Sequence, residues 1–407
     1  MSDGSSGRWK LRLTRRALGL TAAAGVAGIG ATAKGGGAVS AQGQPDPGPP
    51  DRGDYVSRMK PNPSNLKLGL GQFPPNASHE YLMYARQFGI EWVCTVVSGP
   101  DATAENFIDI TKRFGRYGLK IWRLGNASLH NNPDITLGGP KRDEAVSTYL
   151  QYLRNLKQAG ITYTTYAHMA DEVWHTGGEP IRGGILGKSF DYKKASRMGA
   201  QGGGVRPGEY TGGKLWPDKP LHGRVYTEKE IWDNYEYFIR KAAPVAEECG
   251  IRIGIHPDDP PLPMLGGVPR CIFSSFDGYK RAMEIAGSPN VGLCLCVGCW
   301  LEGGDRMGKD VLETIRYFGE RKKLFKIHLR NVEMPMGSAN PHHREAWIDD
   351  GYTDIYKVIR ELRIVNNDCL LIDDHHPPGT IGGWMVGKAF QLAYLRALLE
   401  RANEELA

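Results

Sequence analysis

From Leu66 onward, short β-rich runs alternate with longer amphipathic segments, eight of each, which predicts an α/β protein closed as a (β/α)8 TIM barrel. Two observations carry this. Strand–helix alternation demands parallel strands, since a crossover helix returns the chain to the same end of the sheet, and eight such units are the number at which the sheet closes on itself. A chain of 407 residues, 41% hydrophobic and 24% charged, has ample material for one large core.

The strands are expected at 66–71, 92–97, 120–124, 163–168, 252–256, 291–296, 324–328 and 370–374. Most are short runs of apolar, β-branched or aromatic residues bounded by turn formers. The helices are expected near 79–88, 104–117, 143–159, 228–249, 276–286, 309–320, 354–362 and 385–402, each after its strand. The fourth connection, Met169 to Thr227, is too long and too rich in glycine for a simple loop. Such an insertion after strand four reads as a lid or rim over the barrel mouth.

The N-terminus does not belong to this core. Arg8, Lys10 and Arg12 precede Thr14-Arg15-Arg16, the Ala/Gly-rich apolar run 17–33 and the small-residue site Val39-Ser40-Ala41. Residues 1–41 read as a twin-arginine export signal, so the protein is expected in the periplasm or outside the cell, with no membrane attachment after cleavage. The signal carries +5 of the formal net charge of +6, and no basic surplus remains to argue for a nucleic-acid partner. Residues 42–65, dominated by proline, glycine and charge, form a linker or a surface arm, and 66–407 form the single barrel domain.

Barrel enzymes work at the C-terminal ends of their strands. There the fifth strand ends in His256, the sixth in Cys296, the seventh in His328 and the eighth in Asp374. Two imidazoles, a thiolate and a carboxylate at one mouth are a donor set for a divalent metal with positions open to substrate, Mn2+ or Fe2+ ahead of Co2+ or Zn2+. Cys296 and Cys299 formally make a CxxC pair, but no second pair completes a four-thiolate zinc site and the setting is not thioredoxin-like. Cys294, two residues back on the same strand face, is expected to fill the interior one layer below. The acids of HPDDPP, Asp258 and Asp259, either orient His256 or anchor its loop. Arg270 and His168 are further candidates, and Arg330, on the face of His328, offers a fork for a substrate carboxylate.

HPDDPP with LGGVPR, CVGC from Cys296, KIHLRNV from Lys326, DDHH at 373–376 and the block NYEYFIRKAAPVAEECGIRIGIHPDDPP together resemble the mannonate dehydratase family of the xylose-isomerase-like barrels, over most of the chain from about Leu66. The resemblance implies a metal-dependent lyase that eliminates water from D-mannonate to give 2-keto-3-deoxy-D-gluconate. It places the metal ligands on His256, Cys296, His328 and Asp374, and a proton-transferring histidine on His375. A small sugar acid as substrate and an assembly of two or more copies follow as expectations.

Departures from the family pattern surround these ligands. Asp373 stands where the family usually has proline, His376 where it has glycine, Gly383 or Trp384 where a tyrosine is expected, and Ile348 where a histidine is expected, while Glu345 and Gly351 are kept. Two other classes therefore stay open: a metal-dependent sugar isomerase or epimerase, which needs the same enolisation but returns the proton, and an exported carbohydrate-binding protein without chemistry.

Overall fold

The computed structural model describes residues 61–170, 173–194, 220–337 and 341–407. The segment read as an export signal, and residues 42–60 of the linker, lie outside them. Residues 61–65 run along the surface of the barrel: the Asn65 amide donates to Asn366 Oδ1 (2.9 Å) and Asn403 Nδ2 donates to Asn62 Oδ1 (3.0 Å).

Eight parallel strands form one sheet: Lys67–Phe73, Trp92–Val97, Lys120–Asn126, Tyr163–Tyr166, Arg252–Ile255, Val291–Cys296, Leu324–His328 and Leu370–Ile372. Counted in chain order, they lie side by side as 3-2-1-8-7-6-5-4, a nearly closed barrel. Each hydrogen-bonded neighbour pair is parallel. At the seam between the third and fourth strands a side chain does the bridging: the Tyr152 hydroxyl donates to Leu124 O (2.6 Å) and lies 2.7 Å from Thr164 Oγ1.

The helices pack their apolar stripes on the outside of this sheet. The helix Glu228–Cys249 opens with a reciprocal cap between Thr227 and Glu230 and ends at Gly250 in the left-handed conformation, the start and stop chemistry that its sequence carries. It buries Ile231, Tyr235, Phe238, Ile239, Ala242 and Ala246 in the layer that holds Ile253 and Ile255 of the following strand. Inside the barrel Cys94, Trp122, Tyr163, Phe325, Leu370 and Ile372 form a separate plug, so the interior is filled and the open end is the mouth.

The described part of the long insertion builds a rim there. Its strands Gly178–Pro180 and Leu186–Asp191 join His342–Ala346 and Asn331–Val332, from the connection after the seventh strand, in a four-stranded sheet. Three strands stop earlier than the sequence predicts: the fourth at Tyr166, the fifth at Ile255 and the eighth at Ile372. His168, His256 and Asp374 thus begin the loops at the mouth and do not end the ladders.

Candidate metal centre

Parallel register aligns the strand ends. Cys296 pairs with His328, His328 with Ile372, and Leu293 with Ile255, which brings ligand atoms of His256, Cys296 and His328 within 4.8 Å of one another. Asp374 joins them: its Oδ1 lies 2.9 Å from His328 Nδ1 and its Oδ2 3.8 Å from Cys296 Sγ.

Hydrogen bonds orient each donor. His256 Nδ1 lies 2.7 Å from the carbonyl oxygen of Pro257. A carbonyl only accepts, so Nδ1 carries the hydrogen and the lone pair is left on Nε2. The Cys299 amide donates to Cys296 Sγ (3.4 Å) at the start of the helix Val297–Gly303. Burial opposes ionisation of Cys296, but hydrogen bonding from Cys299 and the charge of Arg330 outweigh it, and the thiol is held well below its ordinary pKa. Burial pushes Cys299 well above. The CxxC pair is therefore a thiolate beside a thiol, with no disulfide. Asp374 is likewise held well below the carboxylate range: burial would raise it, but His328, His375 and Arg330 bring it down.

Asp374 sits at φ 44°, a left-handed conformation unusual outside glycine. Its neighbour Asp373 holds the turn in place. Asp373 Oδ1 accepts the Gly71 amide (2.8 Å), its carbonyl accepts from Gln391 Nε2 (2.7 Å), and its Oδ2 is ion-paired with the buried Lys388. The carboxylate that replaces the expected proline is thus a structural anchor for the turn. The other departure, His376, packs against Trp384 in a tilted arrangement with ring centroids 3.9 Å apart.

His375 reaches the same space. Its Nδ1 pairs with Glu345, and its Nε2 lies 3.4 Å from Asp374 Oδ2. Glu345 is presented by the rim sheet, where Val332 pairs with Glu345 and Phe190 with His343. Burial would raise its pKa, but His375, Arg330 and Lys188 hold it at about 2, so the partner of His375 is an anion.

Arg330 has other partners than those its sequence position suggests. Its guanidinium is 1% exposed and lies 2.6 Å from Glu302 Oε1, 3.4 Å from Cys299 Sγ, 3.6 Å from Asp374 Oδ2 and 3.7 Å from Asp259 Oδ2. It lies in a buried cluster of acids beside the thiolate; its Nη atoms are engaged by Glu302 and Cys299, while its Nε has no hydrogen-bond partner among the described residues. Asp258 accepts from Ser274 Oγ (2.7 Å) and Arg270 donates to Pro260 O (3.2 Å), so these two residues anchor the loop after the fifth strand. His168 lies 2.8 Å from the Tyr166 hydroxyl and packs edge-on against Tyr235 and Phe273. Burial lowers its pKa to about 3, so it is a neutral core residue.

Cys294 sits beside Lys326 in register, one layer down, yet its sulfur lies 3.3 Å from His328 Nε2. His328 thus has the carboxylate of Asp374 at one ring nitrogen and a thiol at the other. Sequence reasoning missed this contact and the Glu302 partnership of Arg330. The period of two did put Cys294 and Cys296 on one face, but nothing local marks Glu302. Two imidazole nitrogens, a stabilised thiolate and a stabilised carboxylate fit a borderline divalent cation.

The family model described as D-mannonate dehydratase (UxuA) matches residues 208–403, a span that contains all four donors and His375. Among curated relatives, the mannonate dehydratase of Geobacillus thermodenitrificans is 27% identical over 287 residues, covering 67% of this chain and 74% of that protein. The mannonate dehydratase of Streptococcus agalactiae is 28% identical over 347 residues, covering 81% and 93%. Among solved structures, the mannonate dehydratase of Streptococcus suis superposes with a TM-score of 0.69 at 24% identity, covering 84% of this chain and 96% of that one. A xylose isomerase domain protein of Alicyclobacillus acidocaldarius gives a TM-score of 0.53 at 16% identity, covering 83% and 99%. The fold is thus that of the xylose-isomerase-like barrels, and over residues 208–403 the sequence matches the D-mannonate dehydratase family.

Proposed function

We propose that this chain is a metal-dependent hydro-lyase that eliminates water from a D-mannonate-like sugar acid and gives a 2-keto-3-deoxy sugar acid. The observation that carries the reading is the family match over 208–403, because it spans the four donors and the His375–Glu345 pair. His256, Cys296, His328 and Asp374 would hold a divalent cation, Mn2+ or Fe2+ in our reading, with Co2+ or Zn2+ as alternatives that the thiolate also suits. When bound, it acts as a Lewis acid on the substrate carboxylate and adjacent hydroxyl, making the C2 proton acidic.

The residues of the chain divide the remaining work. His375 moves a proton: Glu345 fixes its ring through Nδ1, which leaves Nε2 facing the reaction space beside Asp374. The C2 proton leaves, the C3 hydroxyl departs as water once protonated, and the enol collapses to the 2-keto product. Arg330 compensates the negative charge of Asp259 and the thiolate and pairs with Glu302, whose pKa burial pushes well above its ordinary value.

The reading extends to location and assembly: the twin arginines Arg15 and Arg16 with the small-residue site at Ala41 support export to the periplasm, and we expect two or more copies to associate. One observation favours a second reaction on the same enediolate. Trp384, near the start of the last helix, packs against His376 where the family pattern leads one to expect a tyrosine hydroxyl, which favours an epimerase that returns the proton.

The test is to incubate metal-loaded protein with D-mannonate in D2O and follow the products by NMR. A 2-keto-3-deoxy acid carrying deuterium at C3 is the expected product. Exchange at C2 without loss of water would replace the lyase by the epimerase, and no exchange with any aldonate would contradict both.

A further inference from the structure

The third barrel strand, Lys120–Asn126, contains a register slip. Val93 pairs with Ile121, but the next pair is Cys94 with Arg123, so Trp122 is the extra residue of a bulge. Without the slip, the period of two would turn Arg123 away from the interior face that Trp122 occupies. With it, Arg123 shares the inward face of Cys94, a member of the same interior cluster as Trp122.

The guanidinium then folds up the strand toward the mouth. A Cβ built on Gly125 would lie 2.6 Å from Arg123 Nη2 and 2.7 Å from its Cζ, so the absence of a side chain at 125 makes room for the charged group. His130, whose Nδ1 lies 3.3 Å from Thr165 O, stands beside it. Burial lowers the pKa of His130 well below its ordinary value, with Arg123 and His256 adding to the effect from their positive charges. His130 therefore feels Arg123 and the ligand His256 together.

Arg123, like the buried Lys326 and Arg270, has no carboxylate against it among the described residues, but it alone of the three stands on the third strand. Among the described residues it joins no ion pair with a carboxylate, and its Nε is buried without a hydrogen-bond partner. The mouth is consequently divided. Asp259, Glu302, Glu345 and Asp374 lie on the side of Arg330 and His375, whereas the third strand contributes a cation whose charge no protein group cancels. A buried donor left unpaired is costly unless a ligand completes it.

We propose that Arg123 receives the carboxylate of the substrate; Arg330 is already surrounded by Glu302 and the carboxylates of Asp259 and Asp374, which would repel another. The proposal rests on the sugar-acid reading and names the group that recognises the acid. A carboxylate has two oxygens, enough to face the donor set with one and Arg123 with the other. Gly125 acts as the space that sets the height of the guanidinium.

The test compares two ligands on the metal-loaded full chain by calorimetry: a 3-deoxy aldonate, which has no C3 hydroxyl to lose, and the corresponding 3-deoxy hexitol, which has no carboxylate. Arg123→Gln is expected to weaken the aldonate roughly 10- to 100-fold, the worth of a hydrogen bond to a charged group, and to leave the hexitol within about twofold. Arg123→Lys should fall between, and Gly125→Ala, which displaces the guanidinium without removing it, should also weaken the aldonate selectively. Unchanged aldonate binding in Arg123→Gln, or equal weakening of both ligands, overturns the proposal. Selective weakening in a protein that makes no 2-keto-3-deoxy product from D-mannonate would leave the proposal standing and remove the lyase reading. Dehydration with the same KM in wild type and Arg123→Gln would do the reverse.

Discussion

Asp374 concentrates the demands of the site in one residue. It must leave the eighth strand in a left-handed conformation, which costs about 1 kcal/mol or more outside glycine, and present both oxygens to His328 and Cys296. The neighbouring Asp373, tied to Gly71, Gln391 and Lys388, absorbs that strain. His375 is the next residue, and its usefulness depends on Glu345, because an imidazole oriented by an anion has one defined free nitrogen. His375→Ala should lower kcat on D-mannonate about 100-fold or more, and Glu345→Gln about 10- to 100-fold. In both variants metal analysis should still find a full equivalent. Loss of the metal in either would mean that the pair supports the donor set and not the proton transfer.

At the scale of elements, the rim sheet and the helix Glu228–Cys249 do different work. The rim brings Glu345 over His375 by pairing the insertion with a strand more than 150 residues away, as His343 pairs with Phe190. The helix buttresses the fifth strand, which ends beside His256, and its reciprocal cap defines where it starts. Thr227→Ala should cost about 1 kcal/mol in chemical denaturation. Glu230, the other half of that cap, has its pKa lowered to about 2 by Arg224 and Thr227. A carboxylate lowered in the folded state stabilises above its unfolded value and loses that contribution as pH falls from about 4.5 towards 2. Glu230→Gln should flatten the stability profile in that window, by an amount kept small because the group is exposed. A profile unchanged by both substitutions would show that the helix start contributes nothing to global stability.

At the scale of the molecule, the eightfold alternation was legible because most strands carry their own apolar, β-branched or aromatic run and most helices their own N-cap, such as Ser78, Thr103, Thr227, Ser275, Asp310 and Asp354. The strands 92–97, 291–296 and 324–328 and the helices 228–249 and 276–286 fall where their residues predict. Cys296 and His328 could be singled out because parallel strands end level with one another. What stayed hidden is non-local: the Arg330–Glu302 pair spans 28 positions, the contact of Cys294 with His328 crosses two strands, and the bulge at Trp122 reverses the direction that alternation assigns to Arg123. No local pattern encodes such pairings, since they arise only once the barrel closes. The account turns on one cation, held by His256, Cys296, His328 and Asp374, on which the dehydration depends. The most direct measurement is the rate of 2-keto-3-deoxy acid formation from D-mannonate before chelation, after it, and after adding back one equivalent of Mn2+ or Fe2+ per chain. The account predicts that chelation abolishes the rate and that a single equivalent restores it in wild type but not in His328→Ala. Full-rate dehydration by metal-free protein would contradict it.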